Sequence, residues 1–119
     1  MKAAQQSAHE QGLQETECQA WNDLADFYYD HENEKGLFEV YDTLTVISDR
    51  YGYPEFYYNV ASTKSLFLLR QHRINEAYEI CLNAREKALD SDNKNGLFIS
   101  YIMTARFFNT NKMNELAIK

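Results

Sequence analysis

Trp21-Asn22-Asp23-Leu24-Ala25-Asp26-Phe27-Tyr28-Tyr29 is the stretch on which the fold turns. Its small residue, Ala25, and its ring, Tyr28, recur at steps of 40 residues, as Ser65 with Leu68 and as Ala105 with Phe108. A third apolar position keeps the same step at Leu37, Ala77 and Ala117. Within the stretch, Trp21, Leu24, Ala25 and Tyr28, with Leu13 before them, follow the i, i+3, i+4, i+7 spacing of an amphipathic helix. Small, large and medium apolar positions that recur together, in phase, mark a stacked repeat. Such an array serves more often as a binding surface than as a catalyst.

The helices follow outward from this core. Residues 14–30 read as one helix, and Asp30-His31-Glu32-Asn33 as a turn. A second helix carries Leu37, Tyr41, Leu44 and Ile47 on one face and stops at Tyr51-Gly52-Tyr53-Pro54. Gly52 suits a left-handed C′ position, Arg50 the last turn before it, and Pro54 the first turn of the next helix. The pattern restarts with helices at 54–70 and 74–90, joined by the turn Gln71-His72-Arg73. The polar run from Asp90 to Gly96 reads as a linker, followed by a helix over 97–109, a turn over Asn109-Thr110-Asn111-Lys112 and a last helix from Met113. At the front, Ala3 to Gln11 read as a separate helix that Gly12 caps.

The signature positions resemble those of the tetratricopeptide repeat family. Cys18, Trp21, Leu24, Ala25 and Tyr28 match the first helix of its unit, and Leu37, Tyr41 and Leu44 the second. Tyr58, Ala61, Ser65 and Leu68, then Ala77, Cys81 and Ala84, match the next unit, and Tyr101, Ala105, Phe108 and Ala117 the third. The small residue lets two helices approach, and the ring one turn later fills the groove beside it. Two departures stand out. The period is 40 residues, against a family norm of about 34, a long form similar to the sensor domains of bacterial regulators. Lys64 stands where the first unit has Leu24, so its charge must snorkel or find a carboxylate.

The fold expected from this resemblance is all-α: a right-handed α-solenoid of antiparallel helix hairpins, about three repeats plus an orphan N-terminal helix. Residues 1–119 form a single domain, with units at about 18–57, 58–97 and an incomplete 98–119, and with 1–12 as the second helix of a preceding unit. The final helix is too short to stand alone, and Ile99, Ile102, Met103, Phe107, Met113 and Leu116 have no polar cap after them. These ends point to a piece of a longer protein, or to open repeat ends that pair in a homo-oligomer.

Composition limits the function. Hydrophobic residues make up 45% of the chain and charged residues 25%, an ordinary globular balance. Nine Tyr and seven Phe supply large buried area. The net charge of −6 and the absence of a Lys/Arg run argue against direct nucleic-acid binding. There is no signal-peptide core and no stretch near the ~20 apolar residues of a membrane span. Cys18 and Cys81 stand apart, with no metal-ligand spacing, and read as reduced thiols of a cytoplasmic protein. The run from Asp90 lacks the ligands of a calcium loop where Lys94, Asn95 and Tyr101 stand. No nucleophile–base arrangement or phosphate loop is present, so neither an enzyme nor a cofactor nor a metal is expected.

The candidate site comes from the resemblance, which places the first helix of each unit on an inner, concave face. The first unit contributes Gln19, Asn22, Asp23, Asp26 and Tyr29. The second contributes Asn59, Ser62, Thr63, Leu66 and Arg70, and the third Ile99, Ile102, Met103 and Arg106. Acidic at one end, basic and apolar at the other, this face would hold an extended peptide or partner helix, with Arg70 and Arg106 reading a carboxylate. The alternative is a solvated salt-bridge stripe. The triplets Phe27-Tyr28-Tyr29 and Phe56-Tyr57-Tyr58 cannot form single stacking platforms, because consecutive residues diverge around a helix, and they read as core. The expected role is a non-catalytic protein- or peptide-binding scaffold in a larger bacterial signalling protein. The alternative role is a self-association module that pairs attached output domains such as a diguanylate cyclase.

Overall fold

Three-residue turns set the architecture of this chain. A computed structural model describes the backbone of residues 2–118 and the side chains of residues 12–109. Within them lie five α-helices and no strand: α1 (Lys2–Asp30), α2 (Glu34–Tyr51), α3 (Glu55–Arg70), α4 (Ile74–Asp90) and α5 (Lys94–Ile118). The turns before α2, α4 and α5 share one backbone solution. Each has a central residue in the left-handed region, with φ of 55° at Glu32, 60° at His72 and 50° at Asp92. The following amide then reaches back to the dying helix: Asn33 N–H to the Tyr28 carbonyl (2.8 Å), Arg73 to Leu68 (2.9 Å) and Asn93 to Ala88 (2.9 Å). These bonds satisfy carbonyls that the helix end would otherwise leave open.

Two of the turns also cap the helix that follows. The Asn33 side chain accepts from the Gly36 N–H at 3.0 Å, and Asn93 from Gly96 at 2.9 Å. Arg73 has no such side-chain bond; its guanidinium instead meets Glu76 at 2.6 Å. The join between α2 and α3 has a different construction. Gly52 takes φ 82°, and the amides of Gly52 and Tyr53 both bond to the Ser48 carbonyl at 3.0 and 2.9 Å. Pro54 follows and α3 opens at Glu55, in accord with the glycine–proline reading.

The helix ends differ from expectation at two places. α1 runs unbroken through Gly12, so the expected separate N-terminal helix is the first part of α1. Gly12 has helical neighbours on both sides and no left-handed φ, so nothing terminates the helix there. α5 likewise runs from Lys94 through the expected turn at 109–112. It also begins three residues early, because Asn93 supplies a cap inside what the sequence presents as a polar linker.

The chain divides into two compact halves, Met1–Val60 and Ala61–Lys119. In the first, α1 packs on α2. Tyr28 meets Gly36 beside the turn, and Tyr51 meets Glu17 far from it, so the two helices run in opposite directions. Cys18, Ala25, Leu37, Val40 and Leu44 are buried, with Tyr57 and Tyr58 from the start of α3. In the second half α4 packs on α5, again in opposite directions, with Tyr78 against Phe107 at 5.1 Å and Arg85 over Tyr101 at 5.8 Å. Its core is built of Ala61, Ser65, Leu68, Ala77, Cys81, Ala84, Ala88, Met103 and Phe107. Lys64 is half-buried and takes part in polar interactions.

Small residues therefore sit where helices touch, as the period implies, in the first two recurrences. In the third, Ala105 does not, and Ala117 lies outside the residues whose side chains are described. Tyr101, Ala105 and Phe108 are exposed, while Ser100, Met103 and Phe107, one step away around α5, are buried. α5 turns the 100/103/107 face onto α4 and leaves the 101/105/108 face outside. Leu13 and Phe27 are exposed as well, against the expected core role.

Two glycines separate close packing from open space. A Cβ on Gly36 would stand 2.8 Å from three Tyr28 ring carbons, whereas Gly12 has nothing within 4 Å. Gly12→Ala should gain about 0.5–1 kcal/mol from helix propensity. Gly36→Ala should lose about 1 kcal/mol net, overpacking outweighing the same propensity gain. In a Tyr28→Ala background the sign at Gly36 should reverse. Urea unfolding of the four variants checks this; a loss at Gly12 would mean that α1 breaks there. The hydroxyls of Ser48 and Tyr58 are buried without a hydrogen-bond partner. Tyr58→Phe should therefore raise unfolding stability by about 1 kcal/mol, and a loss of that size in the same assay would show a partner for the hydroxyl.

Candidate functional site

α1 carries the first set of candidate residues along one side, because Gln19, Asn22, Asp23 and Asp26 are three or four residues apart. Gln19 and Asp23 meet directly, the amide donating to the carboxylate at 3.0 Å. Asp26 is exposed, yet partial burial, then the carboxylates of Asp23 and Asp30, raise its pKa. Asn22 and Tyr29 are half-buried. A shallow depression of about 380 Å³ opens beside them, lined by Glu15, Thr16, Gln19, Ala20 and Asp23. Asn59, at the start of α3, is exposed. A second depression, of about 450 Å³, lies where the end of α2 meets α1 and is lined by Leu13, Gln14, Glu17 and Tyr51. The hydrogen bond from the Tyr51 hydroxyl to Glu17 holds that phenol protonated above its usual range.

The second half brings together residues far apart in sequence. Arg106 on α5 donates to the Ser62 hydroxyl on α3 at 3.1 Å, across 44 residues. On the same two helices, Ser62, Thr63 and Leu66 of α3 and Ile99 and Ile102 of α5 are half-buried. Arg70 and Arg106 are exposed. A guanidinium with one N–H committed to a hydroxyl still presents donors in the plane that a carboxylate matches. Met103 departs from the set, since it is buried in the core and offers no contact surface.

Residues that would signal other chemistry are engaged in structure. His31 lies in the turn, stacked on Phe27 at 4.1 Å, with its Nδ1 donating to the Phe27 carbonyl at 2.9 Å. His72 is the left-handed residue of its turn and is exposed. Phe56, Tyr57 and Tyr58 are all buried, as core packing requires, and burial, followed by Tyr41, pushes the Tyr57 phenol far up. No three of His, Cys, Asp or Glu converge to hold a metal among the described residues. No described helix is long and apolar enough to cross a membrane.

One surface escaped the 40-residue reading. Tyr78, Leu82 and Leu89 on α4 and Phe98, Tyr101 and Phe108 on α5 are large, apolar and exposed. The signal for it is a second repeat step. Asn33-Glu34-Lys35-Gly36-Leu37-Phe38 recurs as Asn93-Lys94-Asn95-Gly96-Leu97-Phe98, 60 residues on. That step pairs α2 with α5 and Tyr41 with Tyr101. Tyr41 rests against Tyr57, ring centroids 6.2 Å apart, while Tyr101 is 51% exposed.

The buried thiols give a test of this half-by-half packing. Burial pushes the Cys18 thiol up, and Glu17, Glu55 and Glu15 push it further; burial does the same to Cys81. Raised thiol and phenol pKa values favour the neutral forms in the folded chain. Their stabilising effect is intact below the ordinary thiol range of about 8.5 and declines as pH rises above it. Both thiols should resist iodoacetamide at pH 7.5 in the native protein and react at once in 6 M guanidinium. Thermal stability should fall above pH ~9, and less steeply in Cys18→Ala/Cys81→Ala. Rapid native alkylation, or stability that climbs with alkaline pH, contradicts the packing described.

No family model matches this chain, and neither does any curated protein or solved structure.

Proposed function

We propose that this chain is a non-catalytic helical-repeat module, built of antiparallel hairpins in the manner of a tetratricopeptide-type solenoid, that holds a peptide or a segment of a partner protein. The observation that carries the reading is the bond between Arg106 and Ser62. It joins side chains of α3 and α5 across 44 residues although α4 intervenes in sequence, which supports reading the two as first helices of successive units. On the two helices Thr63, Leu66, Ile99 and Ile102 are half-buried and Arg70 and Arg106 exposed. Apolar contact with exposed guanidinium groups suits an extended segment that carries a carboxylate, from an Asp or Glu side chain or a free C-terminus. A place as the regulatory part of a larger signalling protein accords with the resemblance of its long period to such modules.

Selection from a random peptide display library against the whole chain tests the reading. Enriched peptides should carry a carboxylate at one register position beside apolar residues. Arg70→Glu/Arg106→Glu should weaken the best of them at least tenfold by fluorescence anisotropy, since a charge-assisted hydrogen bond is worth about 1.5–3 kcal/mol. Unchanged affinity in that variant, or no enrichment at all, overturns the proposal.

A further inference from the structure

The two halves of the chain carry opposite charge. Residues 1–60 hold 12 Asp and Glu against 3 Lys and Arg, a net −9; residues 61–119 hold 9 Lys and Arg against 6 Asp and Glu, a net +3. Each half also bears an exposed apolar stripe.

On the basic half, the stripe is the shared outer face of α4 and α5. Tyr78, Leu82 and Leu89 recur at helical spacing on α4, and Phe98, Tyr101 and Phe108 on α5, all between 39% and 65% exposed. The two rows join through Arg85 over Tyr101 and through Tyr78 on Phe107, which abuts Phe108 at 5.6 Å. At these exposures the six side chains present roughly 700 Å² of surface. That exceeds the patch of about 300–600 Å² that a monomer usually carries and approaches the ~800 Å² each partner gives to a stable interface. Arg85 lies within this face and Lys94, four residues before Phe98, borders it on α5, while Glu79 and Glu86 line its α4 edge. The position is one that this chain elsewhere covers with a helix: the matching residue of α2, Tyr41, lies under Tyr57 of α3.

On the acidic half, α1 exposes Leu13, Ala20 and Phe27, seven residues apart and so on one face. Glu17 lies four residues after Leu13, Asp23 four before Phe27 and Asp30 three after it. A single amphipathic helix with acidic edges is a shape that a two-helix apolar face accepts, with Arg85 and Lys94 to meet its carboxylates and the net charges of the two halves opposed.

We infer that the chain associates with copies of itself head to tail, the acidic α1 stripe of one copy docking on the apolar α4–α5 face of the next, beside Arg85 and Lys94. The contact uses two different surfaces, so it is heterologous and builds rings or linear chains in place of a symmetric pair. It is independent of the peptide surface proposed above, and either can fail without the other.

Sedimentation velocity of the full chain from 1 to 200 µM tests it. Mass should rise with concentration at 50 mM salt, and the association should weaken at least tenfold at 500 mM salt. Tyr101→Asp/Phe108→Asp should block one surface and Leu13→Lys/Phe27→Lys the other, each leaving helical circular dichroism unchanged. Each variant alone should stay monomeric, and the two mixed should form a one-to-one heterodimer through the intact surfaces. Should an apolar variant misfold, Arg85→Glu/Lys94→Glu should weaken association alone and regain it with Asp23→Lys/Asp30→Lys. A monomer at 200 µM, a symmetric dimer that both variants abolish without complementation, or assembly that persists in the Tyr101/Phe108 variant overturns the inference.

Discussion

Every helix end in this chain must satisfy its last carbonyls within a few residues, and that constraint organises the rest. Three connections solve it by placing a residue in the left-handed region and returning the next amide to a carbonyl five positions earlier. None of the three, Glu32, His72 or Asp92, is glycine, so each turn accepts a backbone cost on the order of 1 kcal/mol. What offsets the cost is the immediate restart of a helix, capped at once by Asn33 or Asn93 in two of the three cases. A turn this short leaves the paired helices little freedom of register. Tyr28 must fall on Gly36, and Tyr78 near Phe107. Which side chains are buried, and which remain outside to meet something else, follows from that register.

Much of this can be read from the residues. Gly52 and Pro54 announce the end of α2 and the start of α3, because each has few other backbone uses. The 40-residue step names Ala25, Leu37, Ser65, Leu68 and Ala77 as core, since small and branched residues at fixed steps have one packing role. It misleads at Tyr101, Ala105 and Phe108. A repeat gives a residue its family position, but burial requires the neighbour that the position assumes, and among the described residues these three are exposed. Gly12 misleads for another reason: glycine is permitted both at a helix end and inside a helix, and only the surrounding residues choose. The candidate site was legible as a set of helix faces. The meeting of Ser62 with Arg106 was not, because a contact across 44 residues leaves no local pattern.

The polar and apolar surfaces divide the labour suggested for the chain. Helices α3 and α5 carry half-buried apolar residues together with the exposed Arg70 and Arg106. The α4–α5 outer face and the α1 stripe expose large apolar side chains. Neither surface contains a reactive group: the two thiols are buried and held protonated, and one of the three histidines is tied to its own turn.

Amide hydrogen exchange followed by nuclear magnetic resonance tests the organising constraint most directly. The amides of Asn33, Arg73 and Asn93 close the three turns, and those of Gly36 and Gly96 receive the asparagine caps. The account predicts that all five exchange slowly, with protection close to that of helix-interior amides such as Leu44. Fast exchange at Asn33, Arg73 and Asn93 while Leu44 stays protected would contradict it, because the helices would then be joined by open loops and their register would have some other cause.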